Sequence, residues 1–506
     1  MDRPPMTHSQ VEYDDIQGLV RFGYGALTEA CYVLARIRNV DAARTWLRSA
    51  PVSSAIALDQ APATALQIAF TAAGLEALEV AGSVIGAFSH EFVSGMTEPS
   101  RSRRLGDIGS DAPWQWAWGT ATRTPHLLVM FFAKPQQLDG FMRTVMASEW
   151  NEAFDELQRL DTGDLDQHEP FGFRDGISQP EIDWDQTHDP LGVHIDYSNI
   201  AAMGEFLLGY RNEYGKYTDR PLIDADAASA PLPTAEDASD KKDVGRNGTY
   251  LVMRQLRQDV RGFWQYIARQ AGGNLERAEI IGAAMVGRKR NGDPLAAIQD
   301  RAIAGIEQQA DVIAQNQFTF DADPLGVRCP VGAHIRRSNP RNADYVGRPD
   351  ALKRLLAMVG FGQNGFRDDL TSSVRFHRIL RRGREYGPGL SPTDALSPAP
   401  PGDPERGLHF VCLNANISRQ FEFLQNAWTM NGKFSALTGE NDPVVGNRQA
   451  ITGCPVTGRF TLPSDNHLRR HLAELPSFIA VRGGAYFFLP GLRALRYFAQ
   501  AKTASP

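Results

Sequence analysis

Glu169-Pro170-Phe171-Gly172-Phe173-Arg174-Asp175-Gly176-Ile177-Ser178-Gln179-Pro180 sets a carboxylate, Asp175, beside a glycine on a segment whose other residues are largely apolar. Gly172 and Gly176 allow a sharp turn and the close approach of something large. Pro180 stops a regular element from running on. By itself a Gly-x-x-Asp-Gly is most simply a turn in which the aspartate caps its own backbone. Whether it is more than a turn depends on what the rest of the chain supplies.

Two later stretches supply a histidine and an arginine. Of the eleven histidines, His334 differs in setting, within Cys329-Pro330-Val331-Gly332-Ala333-His334-Ile335-Arg336-Arg337-Ser338-Asn339-Pro340-Arg341. Small residues before it let a flat ligand come near, and the arginines after it suit carboxylates, preferably bidentately. The alternative is a loop histidine beside a basic surface patch. The third stretch, Phe376-His377-Arg378-Ile379-Leu380-Arg381-Arg382-Gly383-Arg384-Glu385-Tyr386-Gly387, reads as a strand in which His377, Ile379 and Arg381 face one way. A solvated basic hairpin end would carry the same residues.

Working outward, Tyr32 to Ile37, Leu66 to Thr71 and Pro125 to Ala133 predict strands, and Val40 to Leu47 a helix. Leu138 to Leu160 is rich in helix formers and predicts one long helix. Asp219 to Asp243, rich in Asp, Ala and Pro, interrupts the pattern as a linker or surface excursion. The rhythm then restarts, with strands at Thr249 to Met253, Ser373 to Leu380, Leu408 to Leu413 and Ala485 to Leu489. Helices are expected at Gln258 to Gln270 and Ala351 to Met358. The expected division is 1–218, 219–243 and 244–506, an α+β arrangement of antiparallel sheets with a pocket between the halves.

Composition narrows the partners. The 506 residues carry a net charge of -6 with 22% charged and 42% hydrophobic side chains, which gives no electrostatic reason to expect nucleic acid or anionic membrane. Cys31, Cys329, Cys412 and Cys454 are too scattered for a disulfide framework or a zinc site. No export signal or membrane span is read, and a cytoplasmic protein is expected. A homo-oligomer is left open.

The three stretches, in this order, resemble the signature segments of dye-decolorising peroxidases. Asp15 to Val20, Phe70 to Leu75, Gly204 to Tyr210 and Gly484 to Pro490 extend the likeness over nearly the whole chain. The resemblance implies two ferredoxin-like domains with non-covalent haem b between them. It implies His334 as axial iron ligand and Arg341 on a propionate, with Asp175 as distal acid/base and Arg381 as distal cation. Ile177, Leu408 and Phe410 would border the haem pocket, the last two narrowing its distal side.

Peroxide cleavage needs an electrophile for one oxygen, a base that carries the proton to the other, and a cation for the developing charge. Iron, Asp175 and Arg381 would supply them. The implied function is reduction of hydrogen peroxide through a ferryl intermediate, with one-electron oxidation of dyes, phenols or similar aromatic donors. The alternative is a haem-binding or iron-handling protein without turnover. Asn416 stands where the acidic partner of the axial histidine is expected, which predicts a less anionic His334 and a higher iron potential.

Overall fold

The structure, a computed structural model, describes residues 10–189, 198–296, 315–342, 373–449, 458–462 and 470–500. The expected helix Ala351 to Met358 and Cys454 lie outside them. Nine strands form one antiparallel sheet: β1 Glu29–Ile37, β2 Thr64–Phe70, β3 Leu127–Ala133, β4 Phe154–Asp161, β5 Thr249–Gln258, β6 Leu380–Arg381, β7 Arg384–Tyr386, β8 Gly407–Asn414 and β9 Ile479–Leu489. Their spatial order is β6–β8–β5–β9–β2–β3–β1–β4, with β7 also on β8.

Each half repeats one plan. In the first, β1, helix α1 (Val40–Ser49), β2, β3, helix α2 (Leu138–Val145) and β4 give the order 4-1-3-2, the ferredoxin-like pattern. In the second, β5, the short β6 and β7, β8 and β9 give the same order. The halves meet where β2 and β9 pair at Phe70 and Phe488. They share a core, in which Leu34, Leu128 and Phe132 pack in one cluster with Leu251, Val411 and Phe487.

Local chemistry accounts for the elements that position the site. β3, Leu-Leu-Val-Met-Phe-Phe-Ala, is buried along its whole length, as a central strand of branched and aromatic residues should be. Helix α4 (Val260–Gln270) starts where the Asp259 side chain accepts the N–H of Gly262. Helix α5 (Leu275–Val286) starts at Asn274 in the same way and stops at Gly287. Within residues 219–243, Leu222–Asp224 pairs with Lys241–Asp243, and buried Arg220 bonds Asp237 and Asp243, each at 2.5 Å.

Two expected elements differ. Leu138 to Leu160 is not one helix but α2, a short α3 (Ser148–Ala153) and then β4. The residues of β4 favour helix intrinsically, but the open edge of β1 offers them a ladder from Cys31 to Ile37. Ser373 to Leu380 is mostly a 3-10 turn, Ser373–His377, with the strand beginning at Leu380.

Candidate active site

A cavity lies on the outer face of the second half-sheet, under segments from both halves. Leu256 of β5, Leu408 and Phe410 of β8 and Val481 of β9 form its floor, and residues 169–180 close over it. Phe171 and Phe173 anchor that loop. Phe171 packs 4.6 Å from Phe263, and Phe173 stacks on Trp264, whose Nε1 donates to the Phe171 carbonyl at 3.1 Å. Burying two phenyl rings contributes about 1.5–3 kcal/mol each.

The Glu169 carboxylate accepts the N–H groups of Phe171 and Phe173, both at 3.0 Å, and Nε2 of Gln258 at 2.8 Å. This staples the turn to β5. Gly172 and Gly176 take φ of +93° and +77°, a conformation closed to most side chains. Asp175 thereby enters the cavity with Oδ1 accepting both its neighbour's N–H, from Gly176 at 2.7 Å, and Nη1 of Arg381 at 2.7 Å. The turn cap and the ion pair are the same oxygen. Arg381 is held further by its N–H on Gln179 Oε1 (3.0 Å) and Nη2 on the Ser178 carbonyl (3.2 Å). Burial would raise the Asp175 carboxyl, but the Arg381 guanidinium and the Gly176 N–H outweigh it and hold it below the usual range.

His334 opens helix α6 (His334–Ser338) and lines the same cavity. Its Nδ1 lies 2.9 Å from Oδ2 of Asp442. Because an ionised carboxylate only accepts, Nδ1 carries the proton and Nε2 is the nitrogen left with a lone pair. Among the described residues nothing bonds that Nε2. Asp442 is fully buried, and its Oδ1 takes the N–H groups of Val444 (2.9 Å) and Val445 (3.0 Å). Burial pushes its carboxyl up, yet His334 and these donors leave it below its ordinary value.

Asn416 is therefore not the partner of His334. Its Oδ1 accepts Ser418 Oγ (3.1 Å) and the Arg419 N–H (2.9 Å), capping the turn after β8. It is not part of the cavity wall. The acid comes instead from Gly439-Glu440-Asn441-Asp442-Pro443, a loop that buried Arg337 secures by donating to the carbonyls of Trp428 (2.6 Å), Asn431 (3.0 Å) and Glu440.

The remaining expected residues all reach the cavity: Arg341, Ile177, Leu408 and Phe410, with His377 and Ile379 beside Arg381. Arg341 is buried, with Nη1 on the carbonyls of Asn316 (2.7 Å) and Phe318 (2.9 Å) and Nη2 3.3 Å from Ser178 Oγ. Arg288, which the sequence reading missed, donates to the same Ser178 oxygen at 2.9 Å. Burial first, then the charges of Arg341 and Arg381, push Arg288 down to about 9. Three guanidiniums thus share a wall with Asp175, an imbalance that favours a ligand carrying carboxylates. The basic run Gly287-Arg288-Lys289-Arg290-Asn291-Gly292 was the available signal.

No family model matches the chain. A dye-decolorizing peroxidase of Mycetinis scorodonius is 28% identical over 465 residues, covering 87% of this chain and 77% of the relative. A fungal DyP-type peroxidase structure from Auricularia auricula-judae, 26% identical, covers 98% of this chain and 100% of its own with a TM-score of 0.70. The relatives and solved structures that this chain resembles are thus dye-decolorizing peroxidases, at low identity but over most of its length. A further dye-decolorizing peroxidase, solved in complex with 2,6-dimethoxyphenol, shares the fold at 24% identity and TM-score 0.69, over 97% of this chain and all of its own.

Proposed function

We propose that this peroxidase reduces hydrogen peroxide at a non-covalent haem b and oxidises dyes, phenols or similar aromatic donors in one-electron steps. The observation that carries the reading is the 2.7 Å Arg381–Asp175 pair on the wall of the cavity that also holds His334. The side chains fit haem b. His334 Nε2 suits the iron, Arg341 and Arg288 suit the propionates, and Ile177, Leu408 and Phe410 offer an apolar wall. The chain has no Cys-x-x-Cys-His for covalent attachment. When bound, the iron supplies the electrophile for one peroxide oxygen and the redox capacity for two one-electron oxidations.

The protein's own part is proton handling and orientation. Asp175 Oδ takes the proton from the inner peroxide oxygen and returns it to the outer one, which leaves as water. Arg381 keeps Asp175 ionised and faces the charge that develops as the bond breaks, since a guanidinium does not lose its proton. Leu408 and Phe410 line the same cavity as Arg381, and on this reading they narrow its distal side, so that large donors give up electrons from outside it. Asp442 fixes the ring of His334 and strengthens it as a donor. We assign residues 1–218 to the half that brings Asp175 and 244–506 to the half that brings His334 and Arg381, with 219–243 as an excursion. Buried unpaired Cys31, Cys329 and Cys412 support a cytoplasmic site of action.

The test is the absorption spectrum of haem-loaded protein before and after one equivalent of peroxide, for wild type and for Asp175→Ala, Arg381→Ala and His334→Ala. The reading expects His334→Ala to lose the ferric Soret band of the wild type, and either distal variant to slow the peroxide-dependent change at least a hundredfold. Haem binding with no response to peroxide would make the protein a carrier, and absence of haem binding would overturn the assignment.

A further inference from the structure

Beside the cavity, and unused by the chemistry above, is a buried tyrosine bonded to a buried carboxylate. Tyr486 is 2% exposed and its hydroxyl donates to Glu422 Oε1 at 2.8 Å. Glu422 is 4% exposed and paired with Arg101, itself 2% exposed. Among the described residues Glu422 Oε2 has no hydrogen-bond partner, so this carboxylate has unused acceptor capacity. Burial and the neighbouring Glu422 charge raise the Tyr486 hydroxyl well above its ordinary value. At rest the phenol is therefore protonated.

The pair lies within reach of the cofactor cavity. Arg381 is opposite Cys412, Cys412 opposite Val252, and Val252 opposite Tyr486. Directly opposed residues of an antiparallel sheet point to the same face, so Tyr486 shares the face of Arg381, three strands away, or roughly 14 Å at the usual strand spacing. Aromatic rings fill the gap. Phe410 and Phe421 both line the cavity with centroids 6.1 Å apart, and Phe421 meets Tyr486 edge-on at 6.3 Å.

We propose that Tyr486 is an internal redox reservoir of the peroxidase, giving one electron to the oxidised cofactor while its proton passes to Glu422. The O–H bond of Tyr486 breaks and an O–H bond forms on the Glu422 carboxylate. The cofactor is reduced by one electron and the tyrosine becomes a neutral radical; a later electron from a donor and return of the proton restore both. Hydrogen peroxide is the ultimate oxidant. A phenol that has lost an electron is a strong acid, so oxidation near neutral pH depends on an acceptor already in place, which Glu422 is. Arg101 pairs with the same carboxylate and holds it in place. Enclosure within the core keeps donors and water away, so the site stores an oxidising equivalent and does not pass it to bulky substrates directly.

The inference rests on the peroxidase reading and is tested separately from it by freeze-quench electron paramagnetic resonance of haem-loaded protein after one equivalent of peroxide, without donor. Wild type, Tyr486→Phe and Glu422→Gln are compared, with and without ring-deuterated tyrosine. The expected result is a slowly decaying tyrosyl signal, narrowed by deuteration, that Tyr486→Phe removes. Glu422→Gln, which keeps the shape and loses the base, should lower its yield at least tenfold while the peroxide-driven change in the Soret band keeps its wild-type rate. Radical spectra and decays identical in wild type and Tyr486→Phe would overturn the reservoir and leave the peroxidase standing. Absence of any peroxide-driven optical change in wild type would overturn both.

Discussion

The two acid–base pairs at the cavity, Asp175 with Arg381 and Asp442 with His334, are built in opposite ways. On the distal side the Asp175 and Arg381 side chains remain 36% and 29% exposed, and among the described residues Asp175 takes two hydrogen bonds, both on one oxygen. On the proximal side Asp442 is wholly enclosed and accepts three, spread over both oxygens. A carboxylate that must exchange a proton keeps an oxygen available. One that holds a ring in place has both oxygens engaged. Both are held below the ordinary carboxylate value, so the direction of the shift does not separate them.

The largest effects that break this contrast are distal. Asp175→Asn should slow the reaction with peroxide by about 10²–10⁴, and Arg381→Leu by about 10²–10³, in stopped-flow measurements. Because the two act as a unit, the double variant should be little worse than the poorer single one. Rates that multiply would show two independent contributions.

Asp442→Ala should do less to the rate constant of bound enzyme and more to the protein. It strands the His334 N–H and the N–H groups of Val444 and Val445, at about 1–3 kcal/mol for each donor that stays buried. The more conservative Asp442→Asn should weaken cofactor binding about 10–100-fold. Denaturant unfolding and haem titration measure the two. Unchanged stability in Asp442→Ala would mean the loop does not depend on this carboxylate.

What could be read in the sequence follows the same division. Asp175, His334 and Arg381 sit in segments whose local composition is odd: a turn of glycines, a run of small residues before arginines, an arginine at the edge of a strand. Asp442 carries no such mark and Arg288 only a short basic run, because their roles arise when the chain brings positions 108 and 110 residues apart into contact. β4 was misread for a related reason, since its helix-forming residues are overruled by the free edge of β1. Individual strands such as β3 were legible as continuous apolar runs, the ferredoxin-like order was implied only by the family resemblance, and the β2–β9 junction rests on the single pair Phe70 and Phe488.

A smaller effect sharpens the distal half of the comparison through pH. A carboxylate depressed by folding is ionised, and contributes stability, above its unfolded value of about 3.9; both are lost as pH falls through the lower native value. The rate of reaction with peroxide should therefore hold from neutral pH down to about 4 and decline only below it. An acid limb centred above pH 5 in the stopped-flow profile would show that burial, and not Arg381, governs Asp175.

The smallest expected change is at Asn416, and it tests the proximal assignment most directly. Had its amide been the partner of His334, Asn416→Asp would place a charge on that bond and lower the iron potential. Its Oδ1 instead caps a turn, and aspartate caps a turn about as well as asparagine. Asn416→Asp should then leave the potential where it was and shift unfolding by less than about 0.5 kcal/mol, because the capping hydrogen bonds are kept. Asp442→Asn, measured in the same spectroelectrochemical cell, should raise the potential by taking the charge from the ring's true partner. If instead the potential moved with Asn416→Asp and not with Asp442→Asn, the hydrogen bond of 2.9 Å between His334 and Asp442 would not be the one that tunes the iron.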